Sequence, residues 1–173
     1  LEMADRHTIY KNGVKEIAAL NGQAITFMAK YAFDKVGSSC HIHSSVWDAD
    51  NANSLMWDES GPHHMSETFR HWLGGLVHAS RELSLLFAPT VNSYKRFQPD
   101  SWAPTAVAWG LDNRTCGLRL VGHGPAYRVE SRIPGADGIV ASLKPGKISR
   151  RSCSEASLSR WLSKWPMAGS GTA

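Results

Sequence analysis

The sequence predicts an α+β domain, an antiparallel β-sheet with helices packed on one face. Three observations carry this. Residues 66–87 place Phe69, Leu73, Leu76, Val77, Leu83 and Leu86 at helical spacing. Short β-prone runs separated by turn residues fill 105–132, and the last of them, 127–132, alternates cleanly. The chain is 42% hydrophobic and 20% charged over 173 residues, which suits one domain with a real core.

Taken in order, residues 3–20 read as a helix. Ile9, Val14, Ile17 and Leu20 form an imperfect stripe, and Asn21-Gly22 is its stop. Residues 25–29, Ile-Thr-Phe-Met-Ala, read as a strand. A turn at 34–37 leads into a strand at 39–47. A polar turn cluster at 48–53 precedes a short strand at 55–57. Ser66 is the expected N-cap of the helix over 66–87, and Pro89 ends that run. Residues 88–104 read as a long functional loop. Strands follow at 105–109, 118–121 and 127–132, with a turn at 111–114. The helices at 3–20 and 66–87 are expected on the sheet face opposite the polar residues.

After Asp137 the texture changes. Residues 138–173 hold eight serines and six Lys/Arg against one acid, so the formal net charge of +4 belongs to this segment. Residues 1–137 hold 13 Lys/Arg against 14 acids and carry no basic nucleic-acid footprint. The expected division is therefore a domain over 1–137 and a poorly specified basic tail over 138–173. No stretch approaches the ~20 apolar residues of a membrane span. Three scattered cysteines form no disulfide framework, and a reducing, cytoplasmic setting is the expectation.

The chemistry-bearing residues fall in clusters. His41 and His43 flank Ile42 and would share one face of a strand beside a Gly/Ser turn. Asn92, Lys95 and Arg96 open the long loop. Asn113, Arg114 and Arg119 flank a turn, and Arg128, Glu130 and Arg132 share a face of the last strand. Guanidinium groups bind phosphate and carboxylate oxygens in a planar fork. A carboxylate with an imidazole suits Mg²⁺ or Mn²⁺. Taken alone, His-x-His also reads as two unrelated surface histidines, and Arg128, Glu130 and Arg132 as a cross-strand ion-pair ladder. A two-histidine metallohydrolase leaves the arginines without a role.

Four stretches resolve the choice: Gly-Ser-Ser-Cys-His-Ile-His-Ser-Ser at 37–45, Asn-Ser-Tyr-Lys-Arg at 92–96, Ala-Pro at 103–104 then Ala-Trp-Gly-Leu-Asp-Asn-Arg-Thr at 108–115, and Val-Glu-Ser-Arg-Ile-Pro-Gly-Ala-Asp at 129–137. In order and spacing, 1–137 resembles the catalytic domain of glutamine synthetases. The resemblance implies an ATP-dependent ligase in which the glutamate γ-carboxylate is phosphorylated and an amine displaces phosphate. By this resemblance His41 and Glu130 are ligands of Mg²⁺ or Mn²⁺. His43, Ser45 and Arg119 contact ATP, and Arg114 the transferred phosphoryl group. Arg96 and Arg132 hold the glutamate carboxylates, and the Gly37 backbone meets the substrate. Arg96 and Arg114 are the catalytic candidates. Ring-shaped homo-oligomers are implied for the family, with a site between subunits.

Three departures stand out. The family's asparagine before the glycine is Val36. Where ammonia-using members have a flap glutamate before Ala-Pro, this chain has Trp102. An indole cannot deprotonate ammonium but can pack on a larger amine, so the expected acceptor is ammonia or, better, a larger amine. The N-terminal β-grasp domain and further metal-binding glutamates of the family are not in the 173 residues, and the text after Asp137 departs from the family. The expectation is a truncated or frame-shifted segment, unable to build the ring. The alternative function is then an inactive fragment that retains at most nucleotide binding.

Overall fold

The computed structural model describes residues 2–137. Its strands are β1 (Ile42–Ser44), β2 (Ala106–Leu111), β3 (Cys116–Val121) and β4 (Arg128–Ser131). They form one sheet in the order β1–β4–β3–β2. β4 is antiparallel to both β1 and β3, as expected. β2 corrects the all-antiparallel expectation, because it runs parallel to β3. From Trp109 onward partners are nine positions apart, Trp109 beside Leu118 and Leu111 beside Leu120, and a register shift separates them from the Ala106–Cys116 pair, ten apart. The chain therefore winds back to the start of β2 before resuming, instead of reversing. Glycine permits this winding. A Cβ on Gly110 would lie 2.9 Å from Asn113 Cβ and 3.0 Å from Cys116 Sγ. Asp112, with φ 47°, makes the turn, and its N–H donates to the Leu120 carbonyl at 2.9 Å.

Alternation separates two faces. Leu118, Leu120 and Val129 enter the core, where they meet Phe69 and Leu73 of α2 (Glu67–Ala79) and Met56, Met65 and Tyr127. Burying each large apolar side chain contributes about 1.5–3 kcal/mol. Ser66 caps α2 as expected, its hydroxyl accepting the Phe69 N–H at 3.0 Å. The Trp72 indole N–H donates to Ser44 Oγ at 3.1 Å and ties α2 to β1. The opposite face carries the polar row described below.

The single helix expected over 66–87 is broken. α2 stops at Ala79, where the Ser80 hydroxyl donates to the Leu76 carbonyl, and a separate turn α3 (Ser84–Phe87) follows. The long loop contains α4 (Val91–Tyr94), opened by a capping box between Thr90 and Ser93. Both hydroxyls donate to the Asp137 carboxylate, at 2.5 and 2.9 Å, which pins α4 to the chain beyond β4.

α1 (Glu2–Leu20) matches its expected span but not its expected packing. Ile9, Ile17 and Leu20 are 71%, 63% and 87% exposed, so the apolar stripe of the helix is left largely uncovered. Its contacts with Phe27 come from Tyr10, edge-on at 6.2 Å, and from the Lys11 ammonium at 5.3 Å. A four-residue stripe interrupted by Gly13 offers too little apolar face to dock.

Residues 25–29 form no strand. The Ala29 carbonyl instead accepts the Ser38 N–H at 2.6 Å, folding this segment onto the 37–38 turn. The strands expected at 55–57 and 39–47 shrink to an isolated Trp57–Met65 bridge and to β1 with a Ser39–Gly135 bridge. The segment 138–173 lies outside the described residues. Among the described residues no helix is long and apolar enough to cross a membrane.

Candidate functional site

The register of three strands builds the polar face. His43 on β1, Glu130 on β4 and Arg119 on β3 lie side by side in one row. Two-residue periodicity brings the neighbours of each onto the same face.

Glu130 is the hub. Its side chain is 5% exposed. Oε2 accepts from Arg119 Nη1 at 2.9 Å, and Oε1 accepts from Arg132 Nη1 at 3.1 Å. His41 Nδ1 sits 2.8 Å from Oε1, and His43 Nε2 lies 4.0 Å from it. Burial alone would raise the Glu130 pKa. The Arg119 hydrogen bond and the charges of Arg132 and His41 outweigh burial and hold the carboxyl below its ordinary value. His41 is pushed below its ordinary value by burial and by the Arg132 charge, against the opposing pull of Glu130. The imidazole is thus held neutral and the carboxylate charged.

The surrounding arginines are themselves positioned. Arg119 also donates Nε–H to Asp112 at 2.9 Å. These bonds, Asp112 first, raise its pKa further. Arg132 Nε–H donates to the Arg114 carbonyl at 3.0 Å and its Nη2 to the Trp102 carbonyl at 2.9 Å. Arg128, which the sequence placed on this face without a role, donates Nε–H to His43 Nδ1 at 3.0 Å.

Beside the hub lies a pocket of ≈ 400 Å³ whose lining includes Gly37, His41, Arg96, Trp102 and Arg132. Arg96 is 5% exposed, and its terminal nitrogens donate to the Ile133 and Arg132 carbonyls at 3.1 and 3.4 Å. Burial lowers its pKa from the ordinary guanidinium value, an effect that nearby Asp137 opposes. Gly37 is packed tightly. A Cβ there would stand 3.0 Å from the Ala29 carbonyl oxygen and 3.1 Å from Arg96 Cγ. Trp102 and Val36 line the same pocket and are 73% and 91% exposed.

Two residues singled out from the sequence stand apart. The Arg114 guanidinium is exposed and bonds to none of the described residues, so only its carbonyl joins the network. The Ser45 hydroxyl accepts the Trp47 indole N–H at 2.9 Å, outside the Glu130 cluster. Sequence reasoning missed Lys30, which lines the pocket, and Asp112, which braces Arg119. Asp112 sits in a recognisable turn, but a seven-residue separation from Arg119 gives no periodic signal.

Among the described residues no group of three or more His, Cys, Asp or Glu side chains is arranged to hold a metal. His41 and Glu130 form a two-donor pair in the protonation states that metal binding requires. Such a pair suits a hard divalent cation that completes its shell from substrate oxygens and water.

Comparison with known proteins gives the family. Residues 1–139 match the model of the glutamine synthetase catalytic domain. A gamma-glutamylethanolamide synthetase of Streptomyces coelicolor is 58% identical over 137 residues, covering 79% of this chain and 29% of the relative. A glutamate–isopropylamine ligase of a Pseudomonas species is 43% identical over 152 residues, 84% of this chain and 33% of the relative. A glutamine synthetase of Mycobacterium bovis is 41% identical over 141 residues, 80% of this chain and 29% of the relative. The chain thus spans 29 to 33% of the length of these relatives. It belongs to the glutamine synthetase family, within the catalytic domain.

Proposed function

We propose that the chain is part of a ligase joining the glutamate γ-carboxylate to an amine larger than ammonia, driven by ATP. The observation that carries this is the gathering of His41, Arg119 and Arg132 on one buried carboxylate, Glu130, beside a pocket bounded by Arg96. A phosphoryl transfer needs fixed cations where charge develops, and a patch already oriented by its own hydrogen bonds supplies them without reorganisation.

In this reading a γ-carboxylate oxygen attacks the terminal phosphorus of ATP and ADP departs, giving γ-glutamyl phosphate. The amine nitrogen then attacks the acyl carbon, inorganic phosphate leaves, and the nitrogen loses a proton. His43, Ser45 and Arg119 contact the nucleotide. The exposed Arg114 swings onto the transferred phosphoryl group, and Arg96 and Arg132 hold the glutamate carboxylates beside the Gly37 backbone. A Mg²⁺ or Mn²⁺ ion held by His41 and Glu130 would neutralise phosphate charge.

The amine preference is supported by Trp102, Val36 and Phe33, apolar, exposed residues of the pocket lining. It is also supported by the names of two relatives, one a gamma-glutamylethanolamide synthetase and one a glutamate–isopropylamine ligase.

The test uses a full-length family member with tryptophan immediately before the Ala-Pro pair. ATP-dependent phosphate release is measured with L-glutamate and ammonia, ethanolamine, isopropylamine or a diamine. A larger amine is expected to give the highest kcat/KM. A clear preference for ammonia removes the amine reading, and no glutamate-dependent release with any amine removes the ligase reading.

A further inference from the structure

We propose that Asp112 is a positioning residue for polyphosphate binding, which keeps the Arg119 guanidinium from closing on Glu130 and leaves its outer N–H groups for the phosphates of the nucleotide. This role rests on the nucleotide contact of Arg119 proposed above and adds a residue to it.

Two acids share Arg119 unequally. Asp112 Oδ1 accepts from Nε at 2.9 Å and also from Nη2, whereas Glu130 Oε2 accepts from Nη1 alone at 2.9 Å. One oxygen that meets Nε and Nη2 together lies on the side edge of the guanidinium plane. Of the five N–H donors two are left among the described residues, one on each terminal nitrogen. Arg119 and Asp112 both line a cavity of ≈ 600 Å³, which has room for an anion. Without Asp112 the guanidinium is free to close on Glu130 in the two-pronged geometry that arginine and carboxylate favour. Its terminal donors would then be spent on Glu130.

The backbone points the same way. Asp112 has φ 47°, a left-handed conformation that glycine adopts without the Cβ penalty. Its N–H, donated to the Leu120 carbonyl at 2.9 Å, holds it there. A side chain kept where glycine would sit more easily marks a use for that side chain. Stability is a poor candidate for that use. The Asp112 side chain is 79% exposed, and an ion pair so open to water contributes little. What the pair fixes is the direction of Arg119, whose own side chain is 17% exposed. A charged hydrogen bond lost through misdirection corresponds to about ten- to a hundred-fold in affinity.

The test is calorimetry of inorganic tripolyphosphate and of ATP, each with Mg²⁺, on the 173-residue chain. Asp112→Gly suits the backbone and removes the carboxylate. Removing a negative charge beside the site would, by charge alone, tighten anion binding. The positioning role predicts the reverse, binding of both probes at least about tenfold weaker at unchanged circular dichroism. Asp112→Asn keeps an acceptor oxygen for Nε–H and is expected to recover part of the loss. In the Arg119→Met background, Asp112→Gly is expected to cause no further loss. NMR of the labelled arginine Nε–H groups, with the Arg119 signal assigned by its absence in Arg119→Met, is expected to show that proton protected from exchange with and without tripolyphosphate. Unchanged or tighter binding in Asp112→Gly overturns the proposal. So does an unmodified chain that binds neither probe, or Nε–H protection that disappears when tripolyphosphate binds. If binding depends on Asp112 while the full-length relative makes no amide, the ligase reading fails and the positioning role stands. If amide forms and binding is indifferent to Asp112, the positioning role alone fails.

Discussion

Nδ1 of His41 lies 2.8 Å from Oε1 of Glu130, the same oxygen that accepts from Arg132 Nη1 at 3.1 Å. One buried oxygen thus serves two partners while Oε2 serves Arg119. Glu130→Gln replaces one acceptor with an NH₂ that faces an arginine, removes the shared negative charge and leaves one buried guanidinium N–H without its acceptor. Removing one member of a buried ionic cluster costs about 3 kcal/mol or more. Urea unfolding of the chain is expected to show a loss of that order. Arg119→Met in the Glu130→Gln background is expected to cost less than the two single losses combined, because they share partners. A Glu130→Gln loss under about 1 kcal/mol contradicts the hub arrangement.

The same cluster fixes a pH response of the metal-free chain. Both groups have folded pKa values below their ordinary ones, 6.5 for His41 and 4.5 for Glu130. A depressed folded pKa means that the unfolded chain binds the proton more readily, so stability is full above the ordinary value and falls as pH drops towards the folded one. Stability should therefore decline in two steps on acidification. The first begins near pH 6.5 as His41 is forced to protonate, and the second begins near pH 4.5 with Glu130. Urea midpoints across this range, in buffer with a chelator, check it. His41→Asn should abolish the first step and keep the second. A midpoint that is flat between pH 7 and 5 in the unmodified chain contradicts the His41 assignment.

The sequence made the Glu130 face legible because strand periodicity is local. Arg128, Glu130 and Arg132 alternate with buried Val129 and Ser131, and His41 with His43 follows the same rule. Which residues meet across strands was not local information. It depends on the register of β1, β4 and β3. The parallel return of β2 was hidden for a related reason. A short turn between β-prone runs normally reverses the chain, and the winding back depends on the missing side chain of Gly110. Lys30 was hidden by its neighbours. It follows an apolar run that reads as a strand, and only the fold of Ala29 onto Ser38 brings it to the pocket. α1 was legible as a helix and illegible as a packed one, because helical phase says nothing about what covers a stripe.

Gly37→Ala tests how tightly the pocket is built. Gly37 has no positive φ, so an added methyl costs through contact and not through backbone strain. The methyl would stand 3.0 Å from a backbone oxygen and 3.1 Å from a side chain that is itself held by two carbonyls. Neither neighbour yields freely, and overpacking of this kind costs about 1–3 kcal/mol. A thermal melt should show the loss. If Arg96 is what shifts to make room, anion binding at the pocket should weaken in the same variant. Unchanged melting shows that Ala29 and Arg96 relax without cost.

Trp102→Ala separates specificity from stability. The indole is 73% exposed, and the group that Trp102 contributes to the network is its carbonyl, which accepts from Arg132 Nη2 in any variant. Exposed substitutions away from such features change stability by about 0.5 kcal/mol or less. The melting temperature should therefore stay nearly unchanged. The pocket, however, loses its largest apolar wall beside Ala103 and Val36. In a full-length relative, the equivalent change is expected to raise KM for the preferred larger amine about tenfold, the size of one lost hydrophobic contact of ~1–3 kcal/mol. KM for ammonia and for ATP should be untouched. A uniform fall in kcat with every amine would instead mean that the indole supports the fold of the loop around Ala103, and that the amine is selected elsewhere.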